Sequence, residues 1–463
     1  MFDIFALALP RGHGFRDRPP IEAWRSSDDS AWAAVTRHVE SGDIGLIVLR
    51  RREDRVWTIV CDVHGLRGVA EARERARAEM KESSPPEPVP AGTARRPSLY
   101  DLGGRPASET IKLLTTESYR NAGWLLGELY LALPRPDRNW ASDLRSGNFH
   151  TRLWEAQLLA SLREQGLLVT QPEDAPDFRI ENGKGEVAWI EAVTANPPER
   201  YEHVNAKPTV QPEEPEELFF GPAALRFAKT IGSKLQRRYD RLEHVEGYPF
   251  ALALADFQAG ASMVWSREAL IGYLTGIGAT VEGTGTERLP KQLEAETLLG
   301  HAGFKAGLFR DNAHAELSAV IFTNACTLSK FNRIAVTHGA SPRGRRYIRY
   351  GKFEDSAPGS LNGIPFSLDV AGDEYRSLWP DGREPWCAEL EVFHNPFAKH
   401  PLPNTLLPEA THWRLTSKGW DYESHYKTRI LWSRAIIADP KEGVPTYDEV
   451  PAFLKRLMRA ASE

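Results

Sequence analysis

The 463-residue chain has only three cysteines, Cys61, Cys326 and Cys387, far apart and without a CxxC pair. That spacing excludes a disulfide framework and a structural zinc site, and points to a reducing compartment, the cytoplasm. No apolar run approaches the ~20 residues needed to span a bilayer, and the apolar start, Phe2 to Leu9, is too short for a signal segment, so neither secretion nor membrane insertion is expected. There is no excess of positive charge: the formal net charge is −5, so any nucleic-acid surface must be local. The chain lacks GxxxxGK[ST], which removes P-loop nucleotide hydrolysis, and GxSxG, which removes a nucleophile elbow. Cys326 has no nearby histidine, and His394 and His400, six apart, do not have helical metal-ligand spacing.

With 41% hydrophobic residues the chain is ample for a sizeable core, and its length suggests two or three domains. Residues 1–80 read as a small α/β domain: a strand over Phe2–Leu9, a helix over Asp28–His38, and a hairpin from Gly45–Leu49 to Val56–Cys61. The hairpin tip, Arg50 to Arg55, is either a phosphate contact or a solvated turn. Residues 81–98, KESSPPEPVPAGTARRPS, form a Pro-rich linker without periodicity. Residues 99–260 form an α/β core, with two helical patterns in Glu109–Leu131, and 261–463 form a C-terminal α/β region packed on or extending it. In that region Glu316–Asn324 and Phe331–Val336 read as paired strands, and Tyr447–Met458 as an amphipathic helix.

Chemistry concentrates between Thr151 and Thr194. Glu155 precedes Leu158, Leu159 and Leu162 at helical spacing, which puts a carboxylate on an apolar face, where it must be paired, protonated or bound to a cation. Pro176-Asp177-Phe178 opens a strand, Asn182-Gly183-Lys184-Gly185 signals a hairpin, and Val187–Val193 is apolar on both faces apart from Glu191. Asp177 and Glu191 are thereby expected at one end of two antiparallel strands. Hard oxygen donors in that arrangement suit Mg²⁺ or Mn²⁺. The alternative is an ordinary core in which Glu155 pairs with Arg152 or Arg179 and Asp177 shapes a turn; a glycosidase carboxylate pair explains the third carboxylate less well.

These residues resemble the PD-(D/E)xK nuclease superfamily: a helical Glu (Glu155), a Pro-Asp at a strand start (Pro176-Asp177) and a Glu-x-Lys on the next strand (Glu191-Ala192-Val193), over roughly Gly147 to Phe257. Val193 stands where the family has lysine. The resemblance implies a restriction-endonuclease-like mixed sheet flanked by helices, a metal held by Asp177, Glu191 and Glu155, and hydrolysis of phosphodiesters in DNA, in restriction or phage defence, as a homodimer or with partner subunits. The alternative, supported by the missing lysine at Val193, is a catalytically inactive nuclease fold that binds nucleic acid or assembles a complex. The migrated lysine is expected to be Lys234, on a helix over Ala223–Glu243, with its amine facing Asp177 and Glu191; Lys184, or no lysine, is the alternative. Arg343, Arg345, Arg346, Arg349 and Lys352, interleaved with Tyr347 and Tyr350, suit a nucleic-acid surface, although ordinary surface strands share that composition.

Overall fold

A computed structural model describes residues 1–9, 17–104, 106–197, 209–282, 289–355, 357 and 363–460. The chain opens with a short helix α1 (Phe2–Ala6) and a four-stranded antiparallel meander, β1 (Pro20–Arg25), β2 (Ala31–Arg37), β3 (Ile44–Arg51) and β4 (Trp57–Leu66), followed by α2 (Val69–Met80). Helices α3 (Glu109–Thr115), α4 (Arg120–Ala132), α5 (Trp140–Leu144) and α6 (Phe149–Glu164) precede β5 (Leu168–Thr170), β6 (Phe178–Glu181) and β7 (Val187–Ala195). Then come α7 (Pro215–Phe220), α8 (Pro222–Leu235), β8 (Phe250–Asp256), α9 (Ser266–Thr275), the short strands β9 (Ile277–Glu282), β10 (Leu289–Glu294), β11 (Thr297–Leu298) and β12 (His301–Lys305), β13 (Ala319–Thr323) and α10 (Leu328–Thr337). The C-terminal part holds β14 (Arg346–Glu354), β15 (Gly363–Asp369), α11 (Asp373–Arg376), β16 (Glu391–His394), β17 (Thr411–Thr416), β18 (Gly419–Ser424), β19 (Ile430–Ala438) and α12 (Val450–Ala460).

The centre is an eight-stranded mixed sheet in the order β18-β17-β16-β13-β8-β7-β6-β5, with β7, β8 and β13 parallel to one another and β5, β6 and β7 antiparallel. The protein is thus an α+β structure with helices on both faces of its main sheet. Strand β8 is buried along its whole length, which is why Phe-Ala-Leu-Ala-Leu-Ala-Asp carries no alternation. One face packs under α4, α6 and α10; the other packs under α7, α8 and α9. The N-terminal meander shares the first of these cores, since Trp32, Leu49 and Trp57 pack with α1 and α4, while its opposite face is covered by α2. The Pro-rich stretch lies along the meander, where Glu87 pairs with Arg50 at 2.7 Å.

Three expected elements differ. Phe2–Ala6 is a helix, and Ala31–Arg37 is a central strand bonded on both sides, because the run Ala-Trp-Ala-Ala-Val is apolar enough to be buried from both faces. Leu328–Thr337 is a helix instead of a strand: Thr327 accepts from the Lys330 amide as its cap, and Phe331, Ile334 and Ala335 recur at helical spacing. Of the long loop after Glu191, residues 198–208 lie outside the described residues, and Pro215–Phe220 forms α7. No helix among the described residues is long and apolar enough to cross a membrane.

The basic stretch around β14 is also corrected. Strand β14 is the centre of a three-stranded sheet, β15-β14-β19, and its faces are covered by separate apolar clusters that bury Tyr347 on one side and Ile348 and Tyr350 on the other. Arg349 is fully buried, with Nη2 2.6 Å from Glu389 and Nη1 3.5 Å from Glu384. Arg346 pairs with Asp369 at 3.2 Å; only Arg343 is fully exposed, with Arg345 and Lys352 partly so. The tyrosines are therefore unavailable for base stacking, and Arg349 works as an internal cation. Glu384, which also holds Arg333 at 2.9 Å, has its carboxyl drawn down to about 2 because these arginines outweigh its desolvation. Replacing it strands the buried Arg333 guanidinium and leaves Arg349 to Glu389 alone. Glu384→Ala is expected to cost about 3–5 kcal/mol in equilibrium urea unfolding; a loss under about 1 kcal/mol would show that the network is not what locks α10 to β14.

Candidate functional site

Strands β6 and β7 are joined by a tight turn in which the Asn182 side chain accepts from the amides of Lys184 and Glu186. Their register pairs Phe178 with Ile190, so Asp177, one step before, lies opposite Glu191. The carboxylate of Asp177 accepts from the Ala192 amide at 2.7 Å, which fixes it across the mouth of the hairpin. Along β7 the pleat alternates: Ala188, Ile190 and Ala192 face the core under α6, while Trp189 and Val193 face the core under α8. Glu191 follows the second set. It meets α8 and the turn after it.

Lys234, in the last turn of α8, donates directly to Glu191 Oε1 at 2.6 Å. Helix α8 ends at Leu235, short of the expected Glu243, and Arg238 in the left-handed region turns the chain so that the Tyr239 hydroxyl also donates to Glu191 Oε1, at 2.7 Å. Burial and the Glu191 charge push the Tyr239 phenol up, so it remains a donor. Composition gave no sign of Tyr239, because its role depends on where the helix stops.

Glu155 is held differently. It sits on α6, beneath the other face of the sheet, where Trp140 Nε1 donates to it at 2.7 Å and Arg152 at 2.8 Å. Arg152 also reaches Asp137 and Asp143, so the pairing with Arg152 weighed above is present. Burial still raises the Glu155 carboxyl above its ordinary range. Its field reaches Asp177 but its oxygens do not join the other two: among the described residues, the one group of three donors lying within 4.8 Å of one another is Glu164, Cys387 and Glu409, a buried knot tying the end of α6 to the C-terminal region. The expectation of three carboxylates converging is thus reduced to a facing pair, Asp177 and Glu191, with Glu155 behind.

Asp177 carries the electrostatic consequence. Burial first, then the charges of Glu191 and Glu155, raise its carboxyl well above the usual range, and the Ala192 amide and Lys234 only partly offset them. Beside this pair opens a cleft of about 350 Å³ lined by Arg226, Lys229 and Lys234 with the hydroxyls of Thr151, Thr230 and Ser233. Arg226 Nε is buried there without a hydrogen-bond partner among the described residues. The trough is cationic and hydroxyl-rich, suited to an anion, and it joins the carboxylate pair through Lys234, which lines it and donates to Glu191. Compared with protein-family models, with curated proteins and with solved structures, the chain finds no match in any of the three.

Because Asp177's folded-state pKa lies above its unfolded value, its ionisation opposes folding as pH rises through the folded value, and the penalty is absent below the unfolded value. Asp177→Asn keeps the acceptor for the Ala192 amide and removes the charge. Its Tm without divalent ions is expected to equal or exceed that of the parent at pH 7.5, with the difference shrinking by pH 4. A fall of several degrees at both pH values would mean that the carboxylate is a structural asset.

Proposed function

We propose that the protein is a divalent-metal-dependent nuclease that hydrolyses phosphodiesters, in DNA by preference. The observation that carries this reading is the Lys234 amine seated on Glu191 opposite Asp177, at the edge of the cationic cleft. It supplies, from a neighbouring helix, the cation that Val193 cannot.

The donor set fits a small hard cation: two facing, mutually repelling carboxylates, Glu191 buried and Asp177 half-buried, with the Lys234 amine on Glu191 and the Arg237 guanidinium acting on both. Asp177 and Glu191 would hold Mg²⁺ or Mn²⁺. Bound there, the ion would supply a Lewis acid beside the phosphoryl oxygens. The chain's own groups do the rest. Arg226 and Lys229 position the phosphate, Lys234 stabilises charge that builds on its oxygens, and Tyr239 keeps Glu191 oriented. Glu155, fixed by Arg152 and Trp140, acts through its field on Asp177 as a positioning residue. A DNA substrate implies a cytoplasmic protein, and a role in restriction or phage defence, as a homodimer or with partner subunits, is consistent with this chemistry.

A second reading is favoured by one observation: both donors to Glu191, Lys234 and Tyr239, engage the same oxygen, as in a pair satisfied without metal. The nuclease fold would then serve binding or assembly. Plasmid nicking separates the two. With Mg²⁺ or Mn²⁺ and no chelator, the parent is expected to cleave, Asp177→Ala and Glu191→Ala to lose at least about 100-fold, and Lys234→Met about 10–1,000-fold, all with unchanged DNA retention. Cleavage that persists in both carboxylate variants removes the nuclease reading, and DNA retention without metal-dependent cleavage favours the second. Normal cleavage by Lys234→Met removes the lysine's role alone.

A further inference from the structure

Two arginine clusters that the nuclease reading leaves unused, one at the β3–β4 turn and one before β14, meet in space although nearly 300 residues separate them. They meet at a cleft of about 520 Å³ between the N-terminal meander and α4, whose lining includes Arg51, Arg55, Arg343, Trp32, Trp57 and Trp124. Four arginines face three carboxylates there, and each carboxylate is already engaged: Asp28 by Ser26 and Ser30, Asp29 by Arg25 at 3.1 Å, and Glu128 by Arg51 at 2.6 Å and Trp57 at 3.2 Å. Arg55 and Arg343 have no carboxylate partner among the described residues. Uncompensated guanidinium groups at a concave site favour an anion with paired oxygens, a phosphate above all.

Their placement is built in. The Asn121 side chain on α4 donates to the Ser341 carbonyl at 2.8 Å and accepts from Arg343 Nε at 3.2 Å, which holds the loop and the guanidinium together. Arg51, lying 3.8 Å over the Trp57 ring, donates to the Arg55 carbonyl at 2.6 Å and so pins the turn that carries Arg55 in the left-handed region. Preorganised cations of this kind need little ordering on binding.

A second cavity of about 520 Å³ adjoins the first and shares Arg55, Trp124 and Glu128 with it. Its lining is more apolar: Leu99, Tyr100, Leu114 and Leu131 form one wall beside Asp54, Arg96 and Arg120, and Trp124 lines both cavities. Tyr100 already spends its hydroxyl on the Gly123 carbonyl, so its ring is offered as surface. A cationic mouth and a more apolar chamber that share one tryptophan fit a ligand that is phosphate at one end and a flat ring at the other.

We propose that this paired cleft is a nucleotide-binding site, with the phosphate held by Arg55 and Arg343 and the base packed against Trp124. It is separate from the Asp177–Glu191 pair, shares no residue with the cleft there, and stands whether or not that pair is catalytic. The nucleotide is either free or one residue of a single strand.

The test is calorimetric titration of the full chain with AMP, dTMP and ATP, with a single-stranded (dT)10, and with inorganic phosphate, repeated on the double variant Arg55→Ala/Arg343→Ala and on Trp124→Leu. Both arginines are exposed, so the double variant is expected to keep the parent Tm. Binding of a mononucleotide, weakened at least tenfold in the double variant and in Trp124→Leu but unchanged in Asp177→Asn, supports a free nucleotide. The same pattern with (dT)10 alone supports a residue within a strand. Inorganic phosphate binding as tightly as every nucleotide, nucleotide binding indifferent to both variants, or no binding of any probe overturns the proposal.

Discussion

The arrangement depends on negative charge held where water cannot fully screen it. Asp177 and Glu191 face each other across the open end of the β6–β7 hairpin, with Glu155 behind the sheet, and one lysine amine comes close enough to answer them. Apolar residues of similar volume would fill that corner at lower cost. Every neighbouring feature manages this charge: the Ala192 amide is spent on Asp177, α8 stops at Leu235 so that Tyr239 can reach Glu191, and Arg152 with Trp140 takes up Glu155. Carboxylates perturbed and clustered in this way are what single this corner out as the candidate functional site.

The sheet explains why the three carboxylates divide into a pair and an outlier. Alternation along β7 sends Glu191 towards α8, whereas Glu155 rises from α6 on the far side. Only Asp177, at the strand entrance, feels both. A lysine two residues after Glu191 would share its face, and that position is Val193, packed in the core under α8. Lys234 approaches the same face from the helix and brings a cation to Glu191.

Much of this corner was legible in the chain because its signals are local. The Asn-Gly turn fixed the hairpin, the leucines after Glu155 fixed its helix, and the stripe Ile231, Lys234, Leu235 and Arg238 turned Lys234 towards the sheet, although α8 ends before Arg238. What was not legible depended on tertiary context. Ala31–Val35 and Phe331–Val336 are short apolar runs that fit either period, and each adopted the state its neighbours could pair or pack: a strand between β1 and β3, a helix against α4. The Tyr-Arg alternation of β14 has the composition of a surface strand, and only the covering of both faces makes Arg349 an internal cation. The convergence of Arg55 with Arg343 had no local signal at all.

The claim on which the rest turns is that Asp177 and Glu191 together form a seat for a divalent cation, occupied at the expense of a proton. Titration of Mn²⁺ into the protein at pH 6.5, in two buffers of different ionisation enthalpy, measures both affinity and proton release. The account predicts one site, with between a fraction of a proton and one proton released per ion because the raised Asp177 carboxyl must ionise, and loss of that site in Asp177→Asn. Binding of equal affinity in Asp177→Asn, or no binding by the parent, would contradict it.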